Sequence, residues 1–207
     1  MSSYSLIDKY NVPIPRYTSY PTVPYWLDDA TDNADWAQQI RRAITAGKTK
    51  EGISLYLHLP FCEQLCTYCG CNKRITKNHS VETVYIDALL QEWKQYMQIF
   101  GNEIVIRELH LGGGTPTFFS PENLVYLLTE LLKDVKIHPQ REFSFEGHPN
   151  NTTKQHLQSL YNLGFRRVSY GVQDLDFKVQ SAINRIQPFE KTKQATEWAR
   201  EIGYESV

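Results

Sequence analysis

The chain has 207 residues, 41% hydrophobic and 22% charged, with a formal net charge of -1. That length supports one domain with a real core, and the even charge balance gives no argument for nucleic-acid or membrane binding. No apolar run approaches the ~20 residues that span a bilayer, and the opening MSSYSLIDKYNVP lacks the basic and apolar regions of a secretory signal, so a cytoplasmic protein is expected.

Residues 1–31 show little periodicity. Pro13, Pro15, Pro21 and Pro24 favour extended or turn backbone, which reads as an N-terminal arm ahead of a body over 32–207. A helix is predicted over 33–46, with Trp36, Ile40, Ala43 and Ile44 as its apolar stripe and Gly47 at its end. A strand is predicted over 53–59. Ile53, Leu55, Leu57 and Leu59 alternate there with Ser54, Tyr56 and His58. Pro60 and Phe61 should end it.

All four cysteines follow at once, in CEQLCTYCGC from Cys62 to Cys71, spaced C-x3-C-x2-C-x-C. Thiolates bind soft or borderline metals, chiefly zinc or iron–sulfur clusters. Zinc sites usually use two well-separated hooks, and these thiols are too bunched for that. A disulfide pair suits an oxidising compartment, for which no leader argues. An iron–sulfur cluster is the better reading, with zinc and a disulfide as the alternatives.

Beyond the cysteines, Ser80 is expected to cap a long helix ending at Gly101, with Val81, Tyr85, Ala88, Leu89, Trp93 and Met97 on its apolar side. Strict alternation over 104–111 sets Val105, Arg107, Leu109 and Leu111 against Ile104, Ile106, Glu108 and His110, and leads into GGGTP at Gly112–Pro116. Glycines at a strand's carboxyl end let a ligand come close, although such turns are common. Ser120, Pro121 and Glu122 open a further helix. Strands are predicted at 142–147 and 166–172, helices at 152–163 and 190–202, and a short helical stretch leads to Asn184 and Arg185. Tyr204–Val207 reads as the start of a fifth strand. The order β-α-β-α-β-α-β-α requires parallel strands in a doubly wound sheet or a barrel, and periodicity does not choose between them.

The C-x3-C-x2-C spacing after a strand resembles the signature of radical S-adenosylmethionine enzymes. The added Cys71, and PRYTSYPT at Pro15–Thr22, are similar to the oxygen-independent coproporphyrinogen III oxidase family. The resemblance covers nearly all of this chain but only the N-terminal part of that enzyme. It implies an α/β fold, a partial parallel (β/α) barrel incomplete in this chain. It implies that Cys62, Cys66 and Cys69 hold a 4Fe–4S cluster, Cys71 being no ligand, and that S-adenosyl-L-methionine binds the open iron. Tyr56, Tyr68, Gly113, Gly114, Thr115, Glu146, Gln173 and Arg185 then match cofactor contacts, with Arg185 suited to a carboxylate and Glu146 to ribose hydroxyls. The implied reaction is oxygen-independent oxidative decarboxylation of coproporphyrinogen III to protoporphyrinogen IX in haem biosynthesis, through a 5′-deoxyadenosyl radical. Flavodoxin or ferredoxin would donate electrons to a monomer. The rivals are a haem chaperone of the same superfamily and an inactive fragment. One stretch departs from the family pattern: Gly147-His148-Pro149 follows Glu146, where a small apolar residue and Asp are expected before Pro. His148 and His58 have no role on this reading.

Overall fold

The computed structural model describes residues 6, 9, 11, 33–47, 51–101 and 104–207. Pro15–Thr22 and the rest of the expected arm, apart from residues 6, 9 and 11, lie outside those residues. The chain divides into two units, Met1–Trp36 and Ala37–Val207, and the second carries the sheet. Among the described residues no helix is long and apolar enough to cross a membrane.

Helix α1 spans Asn33–Thr45 and closes on Gly47, whose left-handed backbone (φ 71°) a side chain would disfavour. Strand β1 is Ile53–Leu59, β2 is Phe61–Cys62, β3 is Arg74–Ile75, β4 is Val105–Gly113, β5 is Lys136–Gly147 and β6 is Arg167–Tyr170. Strands β1, β4, β5 and β6 form one parallel sheet in that spatial order, and β2 pairs with β3 in a small second sheet. Helices α2 (Val81–Phe100), α3 (Pro121–Leu132) and α4 (Lys154–Asn162) make the crossovers, and α5 (Phe177–Ala182) and α6 (Phe189–Ile202) follow β6.

One face of the sheet is the core. Leu59, Ile106, Leu109, Leu111 and Phe145 are fully buried, against Ile86, Leu124, Leu127, Leu128 and Leu157 from the helices. Each such side chain contributes roughly 1.5–3 kcal/mol on leaving water. Trp93, expected in the core, is there and donates to the Leu131 carbonyl at 3.1 Å. The other face is polar, with Ser54, Tyr56 and His58 on β1, Glu108 and His110 on β4, and Ser144 and Glu146 on β5.

Strand β4 is not the uniform alternation the sequence suggests. Ile106 pairs with Ile53 and with Ile137, but the next paired residue is Glu108, opposite Ser54 and Glu142. Arg107 is therefore an extra, bulged residue. The bulge reverses the phase, so Ile104 and Ile106 are buried along with Leu109 and Leu111. On the β5 side the ladder skips from Ile137 to Glu142. Pro139 lies in the skipped segment and has no N–H to offer a ladder. The strand expected from 142 thus starts at Lys136.

Helix starts differ in how well their sequence signals hold. Ser120 accepts from Asn123 N at 3.2 Å, with Pro121 at the first position, as expected. Ser80 makes no side-chain cap; its own N–H is taken by Asn78 Oδ1 at 3.0 Å. On α2, Ile86 is buried where Ala88 was expected, and Ala88 is exposed. Helix α4 begins two residues later than predicted because Thr153 and His156 form a capping box. The tail is strand-like: Ser206 bridges Arg167, and Tyr204 is buried with its hydroxyl on the Leu157 carbonyl at 2.9 Å.

Candidate cofactor site

The cysteine stretch does not simply hang beyond β1. Pro60 accepts from Arg74 N at 2.8 Å and Cys62 from Thr76 N at 2.9 Å, which closes the stretch into a loop. Lys73 Nζ crosses its base, donating to the carbonyls of Cys69 at 3.0 Å and Cys71 at 3.2 Å. The opposite side is tied to the turn after α5. Gln64 Nε2 donates to Asn184 Oδ1 and Asn184 Nδ2 to the Leu65 carbonyl, each at 2.7 Å, and Thr67 N donates to Ile183 O at 3.0 Å. A loop of this composition has little core of its own, and these bonds fix its shape.

Within the loop, Cys62, Cys66 and Cys69 are half-buried free thiols lining one cavity of about 410 Å³, together with Tyr68, Thr115, His148 and Arg185. Thr115 Oγ1 lies 3.3 Å from the Cys62 sulfur, and Arg185 Nη1 donates to the Cys66 sulfur at 3.6 Å. Burial pushes the Cys62 thiol up, against the lowering effect of the Thr115 hydrogen bond. Cys71 is exposed and does not line this cavity. Among the described residues no group of three or more His, Cys, Asp or Glu side chains closes to single-ion distances. A cubane asks for something else: one thiolate per iron, spread around a body rather than meeting at a point. Three soft donors around one cavity fit that group.

The glycine turn forms the adjoining wall. Gly114 N donates to Leu59 O at 2.9 Å. A Cβ on Gly114 would stand 2.5 Å from the Pro60 carbonyl oxygen. One on Gly113, whose φ is +113°, would stand 2.8 Å from the His58 ring. These glycines are therefore required first by close packing of β4 against β1 and its continuation, and only then by any ligand. Gly113, Gly114 and Thr115 line a second cavity of about 250 Å³ with Tyr68, Glu146, Gln173 and Arg185. Tyr56 lines neither of these two cavities. Its ring is stacked on His110 (centroids 5.9 Å apart, planes 17° apart), and His110 Nε2 lies 3.9 Å from Glu146 Oε1. Burial raises the Tyr56 phenol, with the Glu146 charge adding to it.

A family model, the radical SAM superfamily, matches residues 56–207. The chain belongs to the radical SAM superfamily. It is 38% identical over 204 residues to the oxygen-independent coproporphyrinogen III oxidase of Pseudomonas aeruginosa, covering 98% of this chain and 44% of that one. The corresponding Escherichia coli protein is 38% identical over 203 residues, covering 98% of this chain and 43% of its own. A solved coproporphyrinogen III oxidase from Escherichia coli, described as a radical SAM enzyme, superposes with TM-score 0.82 at 34% identity, covering 92% of this chain and 42% of that one. The chain thus spans under half the length of the relatives it matches, and its parallel sheet is part of a radical SAM (β/α) barrel.

This radical SAM domain also brings in residues for which the sequence offered no role. Lys73 and Asn184 brace the cysteine loop, and nothing in their local sequence marks them. Gln173 (φ 59°) and Asn184 (φ 53°) have left-handed backbone without being glycine, and both border the site. Such strain concentrates at functional positions. His148 lines both cavities. Burial, then the Arg185 charge, lowers its pKa to about 4, so the ring is neutral at physiological pH. His58 is held by the Asn72 carbonyl at 2.7 Å and supports Gly113.

Proposed function

We propose that this chain is the N-terminal part of an oxygen-independent coproporphyrinogen III oxidase, with residues 1–31 as an arm and 32–207 as the first portion of the barrel. The observation that carries the reading is one cavity lined by Cys62, Cys66, Cys69 and Arg185, sharing Gly114 and Thr115 with the glycine-turn cavity. The relatives' names supply the substrate. Cys62, Cys66 and Cys69 hold three irons of a 4Fe–4S cluster. Gly113, Gly114 and Thr115 receive the methionine part of S-adenosylmethionine, Arg185 its carboxylate and Glu146 its ribose hydroxyls, with Gln173, Tyr68 and Tyr56 beside them. When bound, the cluster and S-adenosylmethionine supply one-electron reductive chemistry. The chain's own work is to present thiolates, fix the ligand's charged groups and limit access of water.

In the whole protein, two propionates of coproporphyrinogen III would each give a hydrogen atom to the 5′-deoxyadenosyl radical, release carbon dioxide and pass one electron to an electron acceptor, and so become the vinyl groups of protoporphyrinogen IX. A flavodoxin or ferredoxin delivers the reducing electron to a cytoplasmic monomer. The test is anaerobic reconstitution of the full-length protein with iron and sulfide, followed by measurement of protoporphyrinogen IX with a strong reductant and S-adenosylmethionine. Product formation dependent on S-adenosylmethionine is expected. Tight haem binding without product would support a chaperone instead.

A further inference from the structure

His148 stands where the two cavities meet, and it lines both of them. Its backbone is fixed on every side. The His148 N–H donates to Thr117 Oγ1 at 3.2 Å, and its carbonyl accepts from Asn151 N and Thr152 N at 2.9 Å and from the Thr152 hydroxyl at 3.0 Å. The ring is oriented as well. Nδ1 accepts from Asn150 N at 3.2 Å, which leaves the proton on Nε2. Nε2 is thus a donor, and it has no partner among the described residues.

Arg185 lines the same two cavities. Nη2 is taken by the Gly171 carbonyl at 2.7 Å and Nη1 by the Cys66 sulfur, but Nε is buried with no acceptor. No acidic side chain pairs with Arg185 among the described residues. Each terminal nitrogen of the guanidinium carries a second N–H, which a ligand acceptor in the cavity can take. A neutral imidazole leaves that charge to the ligand.

We propose that His148 Nε2–H and the Arg185 guanidinium form a two-donor clamp on the carboxylate of the ligand's amino-acid group, making His148 a binding and specificity-determining residue of this chain. The inference rests on the S-adenosylmethionine reading of the site. A ligand carrying an α-carboxylate gains from both donors, and one lacking it gains from neither.

The test compares S-adenosylmethionine with decarboxylated S-adenosylmethionine by anaerobic equilibrium dialysis, on full-length protein loaded with its cluster. His148→Ala should weaken S-adenosylmethionine about tenfold, as expected for one hydrogen bond to a charged group, and change the decarboxylated ligand by less than about twofold. His148→Gln keeps a donor and should retain most of the affinity. His148→Asp, which adds a negative charge beside the carboxylate, should weaken S-adenosylmethionine more than His148→Gln does. Equal weakening of both ligands by His148→Ala would assign His148 a structural role and overturn the clamp. Should His148→Ala not take up its cluster, the Asp and Gln variants decide: equal S-adenosylmethionine affinity in those two overturns the clamp. Absence of S-adenosylmethionine binding by the unaltered protein would overturn the reading of the site itself.

Discussion

Arg185 reaches the sulfur of Cys66 at 3.6 Å across a sequence separation of 119. Its second terminal nitrogen holds the Gly171 carbonyl at the end of β6. One planar group thus joins the cysteine loop after β1 to the far side of the sheet and leaves charge facing the cavity. Arg185→Gln keeps a donor and removes that charge. S-adenosylmethionine affinity should fall about 10- to 100-fold, the range for a hydrogen-bonded charge, while iron content stays near that of the parent. Dialysis and iron analysis measure the two separately. Iron loss as complete as that in a cysteine variant would move Arg185 from ligand binding to cluster assembly.

The cysteines should divide three to one. Cys62→Ala, Cys66→Ala and Cys69→Ala each remove a thiol from the larger cavity, and anaerobic reconstitution should give no 4Fe–4S signal. Cys71 lies outside that cavity and is exposed. Cys71→Ala should keep the cluster, as read by electron paramagnetic resonance of the reduced protein. A cluster lost equally in all four variants would make Cys71 a ligand.

Gly114→Ala should be damaging before any ligand is added. The new methyl would meet the Pro60 carbonyl oxygen at 2.5 Å and the Phe61 carbonyl oxygen at 2.9 Å, both backbone atoms that do not swing aside. Overpacking of this kind costs about 1–3 kcal/mol. It would also displace the segment that carries Cys62. A lowered urea midpoint together with reduced iron uptake is expected. Unchanged stability with lost S-adenosylmethionine binding would return Gly114 to a purely ligand-facing role.

Much of this architecture was legible because local signals and tertiary contacts agree. Strand β1 alternates without interruption and has the predicted limits, and Ser120-Pro121-Glu122 opens α3 by side-chain and backbone chemistry that depends on nothing distant. The bulge at Arg107 was not legible. Two alternating apolar pairs of opposite phase read as one run with a misplaced member, and only pairing with Ile53 and Ser54 shows which residue is extra. Ser80 fails as a cap for a local reason: its backbone is already helical (φ −64°, ψ −14°), and the Glu82 N–H goes to the His79 carbonyl. In the site, the cysteine spacing carried its own chemistry. The bracing of that loop by Asn184 did not, because a hydrogen bond between distant segments leaves no period in a sequence. The buried Glu82 is another such case. It accepts from His79 Nδ1 at 2.7 Å, Ser120 N at 2.9 Å and Asn123 Nδ2 at 2.7 Å, and so joins the starts of α2 and α3.

Acid should destabilise this domain partly through two buried imidazoles. Burial, then Arg185, lowers His148 to about 4 from an ordinary value of 6.5. Burial lowers His156 as well, against the raising effect of the Phe119 carbonyl that its Nε2 engages at 2.8 Å. In the unfolded chain both rings titrate near their ordinary value. For His148, between about pH 6.5 and 4, the unfolded state therefore binds a proton that the folded state refuses, and His156 acts in the same direction. Stability rises with pH through that window, is fully present above it, and is lost as pH falls. For His148 alone the loss approaches about 3 kcal/mol by pH 4, as an order of magnitude. Urea unfolding of metal-free protein at pH 7.5, 5.5 and 4.5 should show a falling midpoint. His148→Gln, which keeps the polarity and cannot titrate, should flatten part of that fall. A variant as acid-sensitive as its parent would place the transition on carboxylates and leave the buried imidazole without a share in it.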